Sequence, residues 1–101
     1  MVGGGRFDRH FHDDDELWII TKGRAKVATE GVEHFVQPGD LVMTQAGQVH
    51  DVLEVYEDLE GFFIETGHPA GGRAGHQYAR DEDRSGHEVP QRPLPASFAV
   101  R

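Results

Sequence analysis

A chain of 101 residues has room for one domain with one modest hydrophobic core, small enough that oligomerisation would help it. It contains no cysteine, which excludes disulfides, zinc-thiolate sites, iron–sulfur clusters and thiol nucleophiles, so any metal must be held by nitrogen and oxygen. Eighteen acidic against ten basic residues give a formal charge of −8, a sign that disfavours a phosphate backbone and excludes nucleic acid as the expected partner.

The first residues, Met-Val-Gly-Gly-Gly-Arg, form no apolar leader, and no apolar run approaches the length of a membrane span. A cytoplasmic protein with no membrane partner is expected. Thirteen glycines and five prolines, with no amphipathic helical window beyond two turns, predict an all-β chain of short strands and tight turns.

Taken in order, residues 6–12 read as a strand and 16–22 as the next, followed by a turn at Gly23. A strand over 26–30 ends at Gly31, and 32–37 follows. Pro38-Gly39 suits the centre of a type II turn, since Pro presets the first φ and Gly supplies the positive second one. Residues 41–44 are a strand, Gln45-Ala46-Gly47 a turn, and 48–56 and 61–66 the remaining strands. The stretch 17–20, Leu-Trp-Ile-Ile, is apolar on both strand faces and has to be covered on both sides, by a second sheet or by a dimer contact.

From Gly67 onward the composition turns to Gly, Pro, His, Arg and Asp. Residues 1–66 are therefore taken as the core and 67–101 as a C-terminal arm lying across it or across a partner subunit, ending in Phe98-Ala99-Val100.

The chemistry gathers in the first strand pair. His10 and His12, two apart, share one strand face, and a hairpin returns the Glu16 carboxylate toward the two imidazoles, which together make a metal half-site. The pattern Gly4-x5-His10-x-His12-x3-Glu16-x6-Gly23 resembles the first cupin motif at every position, and Gly39-x5-Gln45-x-Gly47-x2-His50-x3-Glu54 resembles the second. Gln45 stands where the family has Pro, and Glu54 where it has Asn.

The resemblance implies a single-domain cupin double-stranded β-helix, a jelly-roll-like barrel, with the extended arm outside it. It also implies that His10, His12, Glu16 and His50 bind one divalent transition metal, whether Fe, Mn, Ni, Co, Cu or Zn. Three neutral imidazoles and one carboxylate leave such an ion near +1, suited to a small anionic or chelating organic molecule. The family usually has strands ahead of its first motif, which are short here, so a homodimer is expected to cover the exposed edge.

Strand parity puts Glu54 and Tyr56 on the face of His50, and Arg6 on the face of His10. These three are the candidate catalytic residues: Glu54 as general acid/base, Arg6 for a substrate carboxylate and Tyr56 as a polar contact. The expected function is a metal-dependent small-molecule enzyme, leaning to a dioxygenase, with a lyase or isomerase using the metal as Lewis acid as the alternative. A cupin that only binds a small ligand, such as a sugar or organic acid, is the rival of another class. Convergence of Arg6, Glu54 and Tyr56 near the metal favours catalysis, whereas an apolar, closed cavity favours binding.

Overall fold

The computed structural model of the chain describes residues 3, 5–11, 15–65 and 77–101. Six strands are formed, β1 (Arg6–Phe7), β2 (Glu16–Thr29), β3 (Val32–Val36), β4 (Leu41–Thr44), β5 (His50–Glu65) and β6 (His87–Glu88), with one 3-10 turn at Asp81–Ser85. No helix among the described residues is long and apolar enough to cross a membrane.

Local chemistry accounts for the turns. Glu30 and Gly31 take φ of 50° and 76° between paired Thr29 and Val32, the positive pair that a tight two-residue hairpin requires. At Pro38-Gly39 the Asp40 amide donates to the Gln37 carbonyl at 3.0 Å and Gly39 has φ 95°, which meets the type II expectation.

Two expected breaks are absent. Residues 16–22 and 26–30 form one strand, β2, which passes through Gly23 (φ 89°), and 48–56 and 61–66 merge into β5. β2 is the centre of the larger sheet. It pairs antiparallel with β5 along its whole length, with β4 beside its first half and with β3 beside its second.

A straight strand of this length would separate its ends by roughly 40 Å. Yet His50, the partner of Thr29 at one end, has its Nε2 3.9 Å from Oε1 of Glu16 at the other. β2 therefore bends sharply, and the bulges in its pairing with β5, clustered from Ile20 to Ala25, place the bend around Gly23. The bend folds one half of the sheet over the other, so that Ile20 on the first half and Ala25, Val27, Val36, Val52 and Val55 on the second share one core. Val89 of the arm fills that core without exposure, and Phe7 packs against it.

The expected jelly-roll barrel is not formed. The described residues make an open four-stranded sheet and a separate two-stranded ribbon, β1 with β6, and neither closes on itself. Closure of a barrel needs continuous ladders between the end strands. Here the outer edge of β5 meets only isolated bridges, His10 with His50 and Val55 with Gln91.

Past that edge the arm crosses to the other side of the sheet. The Val55 amide donates to the Pro90 carbonyl and the Arg92 amide to the Val55 carbonyl. Phe98 then lies 4.9 Å from the Phe35 ring and 6.0 Å from the Tyr56 ring. Gln37 fixes the end of the chain, donating through Nε2 to the Ala99 carbonyl at 2.8 Å and accepting from the Arg101 amide at 3.0 Å.

Candidate functional site

Three of the four residues named as metal ligands meet inside the bend. His10 follows β1, Glu16 opens β2 and His50 opens β5, and all three are buried. His10 and His50 are held by reciprocal backbone bonds: the His10 amide donates to the His50 carbonyl at 3.1 Å, and the His50 amide to the His10 carbonyl at 2.8 Å. Residues paired in this way point their side chains to one face, and the two imidazole centroids lie 4.2 Å apart.

The second contacts orient these groups. His10 Nδ1–H donates to the Asp8 carbonyl at 2.5 Å, because a carbonyl oxygen only accepts, and this fixes the orientation of the ring. The Trp18 indole N–H donates to Oε1 of Glu16. Trp18 also presents its ring edge-on to His50 at 5.6 Å, and Phe7 stacks on His10 at 5.5 Å.

The cluster forms the polar end of an open pocket of about 350 Å³, within the range of small-molecule sites. Phe7, Trp18, Val52, Leu59 and Phe63 supply its apolar wall.

Nitrogen and oxygen donors of this kind suit a divalent transition metal. The 3.9 Å between His50 Nε2 and Glu16 Oε1 is less than two metal–ligand bonds of about 2.1 Å laid end to end. A complete shell is nevertheless not assembled: among the described residues no three His, Asp or Glu side chains converge as a ligand set. Glu16 is engaged by Trp18 and His10 by Asp8, and His12 lies outside the described residues. The expectation of an assembled metal-binding, dioxygenase-like centre is to that extent corrected.

The candidate catalytic residues are not brought to the pocket. Arg6 is exposed and donates through a guanidinium nitrogen to the carbonyls of Ser85 at 3.1 Å and Gly86 at 2.8 Å, which ties β1 to the arm. Glu54 and Tyr56 face the other side of the sheet because β5 is bulged. Lys26 pairs with Glu54 but Val27 pairs with Val52, so one residue of β5 is unmatched and parity inverts between His50 and Glu54.

Glu54 instead lies 3.7 Å from the Lys26 ammonium and accepts the Tyr56 hydroxyl hydrogen at 2.8 Å. Burial and that bond to Glu54 push the Tyr56 pKa far above its ordinary value, which keeps the phenol neutral.

Phe7 and Leu59 were invisible as site residues in the sequence. Phe7 is at the wrong parity to share a strand face with His10, and it reaches the pocket only because β1 ends there. His87 donates to Asp51 Oδ1 at 2.5 Å and to the Glu88 carbonyl at 3.0 Å. With an acceptor at each ring nitrogen, the surroundings favour the protonated ring. Burial alone would lower its pKa, but the bonds to Asp51 and Glu88 outweigh that effect and raise it.

Comparison with known proteins agrees with the motif positions. The sequence model of the family described as "Cupin domain" matches residues 1–64. A curated relative, "Uncharacterized protein y4oW" of Sinorhizobium fredii (strain NBRC 101917 / NGR234), is 39% identical over 70 residues, which is 69% of this chain and 32% of the relative. The chain thus spans about a third of the length of that protein. No solved structure matches.

Proposed function

The chain belongs to the cupin family, and we propose that it is a member that binds a small organic ligand in the pocket of the bend, apolar body outward and anionic or chelating head against His10, Glu16 and His50. The observation that carries this reading is that those three buried groups all line one pocket whose remaining wall is mostly aromatic and aliphatic, with Glu60 and Glu65 as its other polar members. Arg6, Glu54 and Tyr56 lie outside the pocket, and this favours binding over the catalysis in which Glu54 was expected as general acid/base, Arg6 as carboxylate partner and Tyr56 as polar contact.

To hold one divalent transition metal, His10, Glu16 and His50 would have to draw closer together, since among the described residues they do not form a ligand set. Such an ion would supply Lewis acidity toward the head group of the ligand. The chain's own contributions are separate from it. Trp18 holds the Glu16 carboxylate in place, the Asp8 carbonyl fixes the orientation of the His10 ring, and Phe7 and Trp18 exclude water from the polar end.

Equilibrium dialysis against Mn(II), Fe(II), Ni(II) and Zn(II), read by elemental analysis, tests the ion. About one metal per chain is expected, with affinity at least ~10-fold weaker in Glu16→Gln and in His50→Ala. Thermal shift with a panel of aromatic and aliphatic carboxylic acids tests the pocket. A ligand at a hundred times its Kd should stabilise the fold by about 2.7 kcal/mol, and Trp18→Ala should abolish that response. Wild-type and variant proteins that take up metal and acids alike would overturn the assignment.

A further inference from the structure

Along the first half of β2 the cross-strand partners are Met43, Leu17 and Ile64 in one row and Leu41, Ile19 and Phe62 in the next. Residues directly opposite one another share a face, so these six form one continuous apolar surface. It is the face turned away from Glu16, Trp18 and Ile20, whose side chains enter the core and pocket.

None of the six is charged. Leu41, Met43, Phe62 and Ile64 are 64, 56, 70 and 56% exposed, and Leu17 and Ile19 are half-buried. On the second half of the sheet the same side is covered by the arm, where Phe98 lies on Phe35 and Tyr56. The ring contacts of Phe98 lie on that second half.

We propose that a second copy of this chain docks there, face to face, as a symmetric dimer. The six side chains present on the order of 500–600 Å² of apolar surface, toward the upper end of the roughly 300–600 Å² that the largest patch of an ordinary monomer spans. Two such faces together bury about 1,000–1,200 Å², enough for a specific interface before any polar rim is added.

The shape fits as well. A flat sheet face is complemented by another sheet face about 10 Å away, and a self-complementary patch closes under a two-fold axis. A charge of −8 on each chain opposes the alternatives, since it disfavours anionic lipid surfaces and nucleic acid alike. Ile19 and Phe62 also border the pocket, so a partner seated on this face covers one side of its mouth.

Sedimentation velocity of the full chain at micromolar concentration tests the proposal. The expected species has twice the 11.3 kDa mass of the chain. The double variant Met43→Asp/Ile64→Asp, which alters exposed positions away from the pocket lining, should sediment as a folded monomer, its dimer dissociation constant raised at least ~100-fold. A monomeric wild type overturns the proposal, and so does a dimer that persists in the double variant. If the double variant does not fold, carbene footprinting of the wild type decides. Labelling of Leu41, Met43 and Phe62 should fall as concentration rises through dimerisation, and labelling that does not change overturns the face.

Discussion

Replacing Gly23 by alanine should damage both the fold and the site, and the structure says by how much. Gly23 sits at φ +89°, where an L-residue costs about 1–2 kcal/mol. An added Cβ would also stand 2.0 Å from the Asp58 carbonyl oxygen, so β5 has to move away, at about 1–3 kcal/mol. The sum is about 2–5 kcal/mol, which for a domain of this size lowers Tm by at least ~8 °C.

Gly31→Ala is the control. Gly31 has φ +76° but nothing within 4 Å of the added Cβ, so only the backbone cost applies. The entropy that alanine removes from the unfolded chain is common to both variants and cancels in the comparison. Thermal and urea unfolding should therefore place Gly23→Ala about 1–3 kcal/mol below Gly31→Ala. Gly23→Ala alone should lose metal and carboxylate binding, because the bend it sustains joins Glu16 to His50. Equal losses in the two variants would refute the claim that close approach at the bend, and not φ alone, requires glycine.

Two further outcomes concern the arm. Phe98→Ala, which empties a buried site against Phe35 and Tyr56, should cost about 3 kcal/mol; a loss of Tm under ~4 °C would show that the end of the arm contributes little. His87, facing Asp51, the Glu88 carbonyl and Arg6, has a pKa raised on folding, so its stabilisation is complete below its unfolded value of about 6.5 and is lost as pH rises through the higher folded value. Urea unfolding across neutral pH should show this decline in the wild type and a flatter profile in His87→Gln; parallel profiles would remove His87 as its source.

The sequence was most legible where chemistry is local. Turns at Gly31 and Pro38-Gly39 follow from which residues accept positive φ, though the positive φ of Glu30 does not, and the placing of Glu16 with Trp18 on one face follows from strand alternation. Alternation fails wherever pairing is bulged, and β5 is bulged between His50 and Glu54. Val52 and Val55 are both buried in one core although they are three apart, a spacing that regular alternation forbids. Carrying parity from His50 through to Tyr56 therefore put Glu54 and Tyr56 in the wrong compartment. Nothing in the sequence marks the extra residue, because a bulge is fixed by the partner strand as much as by the strand that carries it.

The same reasoning explains why a barrel was expected and an open sheet is found. Motif spacing brings His10, Glu16 and His50 together equally well in a closed barrel or in a sheet folded once at Gly23, since both require only that the ends of β2 meet. What separates the two is the fate of the opposite face. The apolar run at 17–20 demanded cover on both sides, and the bend covers only the side of Trp18 and Ile20. Leu17 and Ile19, flanked by exposed Leu41, Met43, Phe62 and Ile64, still need a neighbour. The alternation that points Glu16 and Trp18 into the pocket also points Leu17 and Ile19 outward, so the pocket and the docking face are two sides of one strand segment. A shift of its register by one residue would exchange them, and the proposed ligand site and the proposed dimer would be lost together.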